Sequence, residues 1–401
     1  MIEFDEAQRR LSEAAPAPTQ AEDVALGSAR QRVLAQDILS TLDLPPADNS
    51  AMDGYAVRLA ELRARDPLPV SQIVYAGQAP QRLEEGSVAR VFTGSLLPLG
   101  TDTVIMQEDV QVLEGQVAIT GQHTLGQHIR RRGEDTATGN LVLAAGTRLE
   151  AAHIALLASQ GLAKVPVFAR LRVGILTTGD ELVNPGEPRA DHQIFNSNAS
   201  MLAALVESLG AEVGLVRHAR DDAESHTDAF KALVDTCDLT LSVGGVSVGD
   251  KDLVKPVLES MGATLDLWKV RMKPGKPVAL AHLNGKPIIG LPGNPVSAFA
   301  VFTLLVSPLI RRMQGRTDIF PYVSFVTLRT EAPRQDSREE FLRTRLRLVT
   351  GSNAELEIYP KQSSGVVSSL GWATGLARIP ADLPVYDGEK VAYYELSRWL
   401  A

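Results

Sequence analysis

The chain has 401 residues, 44% hydrophobic and 22% charged, with a formal net charge of −8. This globular composition is too long for one ordinary core, so about two to four domains are expected. The acidic balance argues against a nucleic-acid binder, whose domain is normally basic, and the lone Cys237 excludes an internal disulfide.

Residues 3–15 carry Phe4, Ala7, Leu11 and Ala14 at helical spacing, and residues 24–39 read as a second helical region. The acidic start, residues 1–6, has no basic-then-apolar leader pattern. Leu44-Pro45-Pro46-Ala47-Asp48-Asn49-Ser50 is a turn-forming exit from this unit. Short alternating runs follow at 70–75, 88–92, 103–106, 110–113 and 117–120, the last two flanking a Glu114-Gly115-Gln116 hairpin turn. Helical spacing returns at 149–161, so the first unit is expected to be split around a β-rich insert. From 171 the pattern alternates between strand (171–176, 212–216, 239–243) and helix (200–209, 223–234, 253–261). Two short strands, 279–282 and 288–291, flank Asn284-Gly285, and a long apolar helix is expected over 297–313. That order predicts a mixed, mostly parallel α/β sheet, with ligands outside the carboxyl ends of its strands. After Pro321, strands at 323–328, 344–349, 356–359 and 391–395 predict a small C-terminal β domain, open sheet or barrel. The expected domains are 1–45 with 137–170, 46–136, 171–320 and 321–401. The longest apolar run, 298–305, is far shorter than a membrane span, and a cytoplasmic protein without nucleic-acid or membrane partners is expected.

The most informative stretch is Lys269-Val270-Arg271-Met272-Lys273-Pro274-Gly275-Lys276-Pro277. On one strand, the alternating cations would share a face, and the Pro-Gly turn would present Lys276 beside them. In an acidic protein this reads as an anion site; a half-buried strand with a solvated cationic face is the alternative. Thr177-Thr178-Gly179-Asp180-Glu181-Leu182 follows a predicted strand and suits a ribose, phosphate oxygens or a metal, or else is a capped βα turn. Gly244-Gly245-Val246-Ser247-Val248-Gly249 permits close backbone approach to a phosphate or a pterin ring but lacks the Walker order. The Asp250 and Asp252 that follow make sense beside an anion if Mg²⁺ lies between them. In Pro292-Gly293-Asn294-Pro295-Val296-Ser297, Asn294 fits an N-cap and Pro295 the first helical position, so the helix directs N–H groups at the loop. In the insert, Asp53-Gly54 and Thr93-Gly94 are ordinary turn dipeptides, and Arg130-Arg131-Arg132 is usually a solvated run. Cys237 reads as a small buried hydrophobe, with no histidine adjacent to activate it.

Taken together and in order, segments 49–55, 132–135, 177–182, 244–252, 273–277 and 290–298 resemble the molybdopterin molybdenumtransferase family, which includes bacterial MoeA and the E domain of gephyrin. The resemblance implies an elongated homodimer of four-domain subunits, whose sheet domain is similar to the molybdopterin adenylyltransferase acting one step earlier. It implies a Mg²⁺-dependent reaction that takes adenylyl-molybdopterin and molybdate, releases AMP and leaves molybdenum on the dithiolene. It assigns catalytic roles to Asp53, Thr93, Asp135, Glu181, Asp221, Asp252, Lys269 and Lys273, with Asp222 an alternative to Asp221. It assigns substrate binding to Lys276, Ser297, Arg343 and Ser364, and the loop motifs add Thr178, Gly179, Asp180, Gly245, Ser247, Gly249, Pro292 and Pro295 as expected binding residues, with Glu181, Asp250 and Asp252 as the expected Mg²⁺ ligands. Molybdate, a tetrahedral dianion, suits Lys, Arg, Ser hydroxyls and helix N–H groups. The adenylyltransferase and acceptor molybdoenzymes are further partners implied by the resemblance. Two other readings stand beside it: a molybdopterin adenylyltransferase, and a non-catalytic scaffold like the gephyrin E domain.

Overall fold

Strand Arg172–Thr178 is buried at all but its first residue, as a strand covered on both faces must be. In the computed structural model, which describes all residues except 15, 17, 19, 63–66, 246–252 and 349–353, it belongs to a six-stranded sheet. The order is Glu212–Ala219, Arg172–Thr178, Leu239–Val243, Lys286–Leu291, Pro277–Leu283, Thr264–Lys269. The first four strands are parallel, and the last two join antiparallel. Asn284 and Gly285, at φ 52° and 76°, make the expected two-residue hairpin. Helices Ser197–Ser208 and Ala223–Thr236 begin at Asn196 and Asp222, whose side chains accept the N–H of Ala199 and Ser225.

The long apolar helix runs continuously over Pro295–Met313. It is long and apolar enough to cross a membrane, but 94% of that window is buried, packed as a core helix. Its middle turn, Phe302–Val306, is a π segment. There Gln8 of helix Phe4–Glu13 donates to the Leu304 carbonyl at 2.7 Å.

Residues 24–39 are not helical. Strand Ala21–Ala25 pairs antiparallel with Lys164–Phe168, Leu26–Ser28 is a 3-10 turn, and Gln31 has φ 64°. Val24, Val33 and Leu34 give their backbones to β pairing with distant residues, so tertiary pairing overrides local helical preference. The cationic stretch also departs from a single strand. Strand Thr264–Lys269 ends in the first sheet, and Met272–Lys273 then pairs in parallel with Glu339–Glu340 in another. Val270 and Met272 are fully buried at this crossing, as the alternation required.

That second sheet orders Met272–Lys273, Glu339–Leu348, Ala354–Ile358, Ser324–Arg329, Lys390–Glu395 and Gly375–Ile379. Glu339–Leu348 also pairs with Gly375–Ile379, which closes five strands into a barrel. Both sheets lie in one compact unit, Met1–Ala35, Gly146–Glu150 and Lys164–Ala401.

The other unit comprises Gln36–Ala145 and Ala151–Ala163. Its six-stranded sheet orders Thr103–Met106, Gly54–Val57, Val88–Val91, Leu68–Val74, Gln116–Ile119 and Val110–Leu113. The expected hairpin turns through Glu114 and Gly115, both at positive φ. Helix Ala151–Ser159 fulfils the helical pattern at 149–161.

Candidate functional site

A cavity of about 550 Å³ opens where the parallel strands Leu239–Val243 and Lys286–Leu291 end. Gly244 and Gly245 form one lip and Pro292, Gly293 and Asn294 another. Gly244 has φ 97°, and a Cβ there would stand 2.7 Å from Thr178 Oγ1, so the turn needs glycine. Asn198, buried on helix Ser197–Ser208, donates to the Gly293 carbonyl at 2.7 Å. Asn294 occupies the N-cap position but makes no side-chain capping bond, and Pro295 opens the helix. Ser297 therefore reaches the cavity from the first turn of a 19-residue helix, where the macrodipole favours an anion.

The segment Lys273–Pro277 forms the next wall. Gly275, at φ 106°, packs so closely that a Cβ would approach Val301 to 2.5 Å. Lys276 is exposed and lines the cavity. Lys273 also lines it, but its ammonium sits 2.9 Å from Asp336 and 2.8 Å from Glu340. Burial opposes its charge, yet hydrogen bonds to the two carboxylates outweigh this and hold the ammonium above the ordinary lysine range. Arg271 faces elsewhere, pairing with Glu3 and Asp382 and donating to the Ser337 carbonyl. Lys269 is exposed and outside the cavity lining; its carbonyl accepts the Ile2 N–H. The cations therefore do not form one free anion patch.

The barrel closes the cavity with Arg338, Gln362, Ser363 and Ser364. Arg343 does not line it. Its guanidinium, on a residue 1% exposed, donates to the carbonyls of Lys361 and Ser363 and to Ser369 Oγ. Burial pulls its pKa down to about 10. Gln362 bonds the Arg343 backbone at both N–H and carbonyl, and Ser364 accepts the Val296 N–H, so barrel loop and helix start are tied together. Sequence patterns did not single out Arg338, Asp336, Glu340 or Gln362. Asp336, Arg338 and Glu340 lie just before or at the start of strand Glu339–Leu348, which pairs with Met272–Lys273.

Beyond this cavity, Thr178 and Gly179 are buried at the end of strand Arg172–Thr178, with Asp180 and Glu181 exposed after it. Asp180 accepts the Asp221 N–H at 3.3 Å. Asp222 caps helix Ala223–Thr236 and lies 3.5 Å from Arg220. Among the described residues no three His, Cys, Asp or Glu side chains converge on a metal site. Ser247, Gly249, Asp250 and Asp252 lie outside the described residues. Cys237 is buried at the end of helix Ala223–Thr236, and burial pushes its thiol up, away from nucleophilic use.

In the other unit Asp53 and Thr93 meet. Asp53 Oδ1 accepts the Thr93 N–H at 2.7 Å and its hydroxyl at 2.8 Å. These bonds, the backbone one foremost, hold the Asp53 carboxyl below the usual range. Asp135 is exposed, its N–H given to the Leu44 carbonyl. The arginine run is only partly solvated: Arg131 pairs with Asp48 and Arg132 with Asp43, each at 2.6 Å.

Three family models place the chain that carries this glycine-cornered, barrel-walled cavity among proteins of molybdenum-cofactor biosynthesis. Residues 2–161 match the MoeA N-terminal region (domain I and II), 174–312 the probable molybdopterin binding domain, and 326–396 the MoeA C-terminal region (domain IV). The chain is 42% identical to a molybdopterin molybdenumtransferase of Haemophilus influenzae, over 79% of this chain and 78% of that one. It is 37% identical to the Nostoc sp. molybdopterin molybdenumtransferase over 90% and 85%. The crystal structure of the molybdopterin biosynthesis moeA protein from Pyrococcus horikoshii OT3 superposes with a TM-score of 0.84 at 30% identity, covering 98% of this chain and 100% of that one. The chain belongs to the molybdopterin molybdenumtransferase family, a family of transferases.

Proposed function

We propose that this protein inserts molybdenum into molybdopterin, taking adenylyl-molybdopterin and molybdate and releasing AMP. One observation carries the reading: Lys276, Arg338, Ser297 and Ser364 converge on one cavity at the strand ends of the molybdopterin-binding region. Cationic groups, hydroxyls and a helix start are what a tetrahedral dianion requires. The oxygen that attacks phosphorus comes from molybdate or water, since no activated protein nucleophile is found among the described residues. Catalysis then rests on charge neutralisation and positioning.

Glu181 offers the hard oxygen donor that Mg²⁺ takes, and Asp250 and Asp252 complete the proposed set. Bound there, Mg²⁺ would offset the charge of the pyrophosphate. Thr178, Gly179, Asp180 and Asp221 are proposed to belong with Glu181 to the same nucleotide-side subsite. Asp53, Thr93, Asp135 and Lys269 remain proposed catalytic residues, and a homodimer in the cytoplasm belongs to the same reading.

The test is to incubate the purified protein with adenylyl-molybdopterin, molybdate and Mg²⁺, and to measure AMP release and activation of an apo-molybdoenzyme. Both are expected, and Asp252→Asn should abolish AMP release while nucleotide binding persists. Formation of adenylyl-molybdopterin from ATP and molybdopterin, without AMP release, would assign the adenylyltransferase reaction instead. Absence of both activities would leave the scaffold reading.

A further inference from the structure

Lys273 and Arg338 both line the cavity, and both are already engaged by one carboxylate. Asp336 Oδ2 lies 2.9 Å from Lys273 Nζ, and Asp336 Oδ1 lies 3.7 Å from Arg338 Nε while accepting the Arg338 N–H at 3.0 Å. Glu340, 6% exposed, takes the other side of Lys273 at 2.8 Å. Lys276 has no side-chain partner among the described residues. Among the described residues three cations thus stand against two carboxylates, and a dianion meets far less positive charge than the lining residues suggest.

The two carboxylates differ in kind. Glu340 is buried opposite Lys273 in the strand register, a cross-strand pair that fixes the lysine in place. Asp336 precedes that strand and its side chain is 19% exposed. Its backbone anchors, the Arg338 N–H onto its Oδ1 and the Asp382 N–H onto its carbonyl, hold the carboxylate where it spans two cavity cations.

We propose that Asp336 is an internal counter-ion that an incoming oxyanion displaces from Lys273 and Arg338, and that it thereby sets the oxyanion affinity of the cavity. This rests on the reading of the cavity as the oxyanion site. Such a counter-ion keeps the cations ordered when no substrate is bound, and it weakens the hold on molybdate so that the metal is handed on. It also disfavours anions that offer charge without enough acceptors to replace the carboxylate.

The test is calorimetric titration of the full chain with molybdate and with sulfate, for the unaltered protein, Asp336→Asn and Asp336→Ser. Removal of a negative charge beside an anion site is expected to tighten both anions by about tenfold or more, with sulfate gaining at least as much as molybdate. A purely structural ion pair would give lower thermal stability with unchanged or weaker anion binding, and that result in both variants overturns the proposal. Molybdate binding by the unaltered protein separates the two claims. If neither anion binds the unaltered chain but both bind the variants, the counter-ion role stands and the substrate reading falls. If no protein binds either anion, both fall. A structure of the unaltered chain with molybdate gives a check that needs no variant: Lys273 Nζ should part from Asp336 beyond hydrogen-bond distance, and an intact contact beside bound molybdate overturns the proposal.

Discussion

Asp53 and Thr93, 40 residues apart, share a single carboxylate oxygen: Asp53 Oδ1 accepts both the N–H and the hydroxyl of Thr93. Thr93→Val should remove one bond, keep the backbone one, and lower turnover by about tenfold. Asp53→Asn should lower it by about a hundredfold or more while leaving the melting temperature within about 2 °C, because the turn is exposed. Rates and melts on the same preparations check this; a large loss of stability in Asp53→Asn would make the pair structural.

Lys273 joins a two-residue strand to the barrel through Glu340. Lys273→Met leaves a buried carboxylate without its cation, which costs several kcal/mol at a fully buried site. The lysine side chain is 38% exposed, so solvent screening reduces this to about 1–2 kcal/mol. Urea unfolding should show that loss, and it should disappear when Glu340→Gln is added. A double variant no more stable than the single one would mean that Lys273 acts elsewhere.

Arg343 is predicted to act through the loop it holds. Arg343→Met removes the bonds to the carbonyls of Lys361 and Ser363 and to the Ser369 hydroxyl, at a cost of about 1–3 kcal/mol. Molybdate affinity should fall by about tenfold through disorder of Ser363 and Ser364. Increased proteolysis between Tyr359 and Ser369 would accompany it. Weakened binding with an intact, protease-resistant loop would point to direct contact with the anion instead.

Asp43 carries a pH signature. Hydrogen bonds from the Thr138 N–H first, then from Arg132 and the Thr138 hydroxyl, lower its carboxyl to about 2. A depressed carboxylate stabilises the fold above its ordinary value of 3.8 and loses that contribution as pH falls toward 2. The difference in melting temperature between the unaltered chain and Asp43→Asn should be constant above about pH 4 and shrink below it. A difference that stays flat down to pH 2 would reject the assignment.

Local patterns carried much of this molecule in advance. The alternating strands and helices of 171–313, the Asn284-Gly285 and Glu114-Gly115 hairpins and the glycine corner at Gly244 follow from periodicity and from the few residues that tolerate positive φ. The burial of Val270 and Met272 was equally plain in the alternation of 269–273. Local spacing says nothing of which partner a charge will find. That Lys273 spends its charge on Asp336 and Glu340, that Arg271 turns to Glu3 and Asp382, and that Arg343 points inward under a loop depends on chain segments tens to hundreds of residues away. The same reason explains residues 24–39, whose apolar spacing suited a helix until Lys164–Phe168 offered a strand to pair with. Periodicity reports which face a residue takes, because that is set within a few bonds; ion pairing and sheet register come from contacts that exist only once the chain has closed on itself.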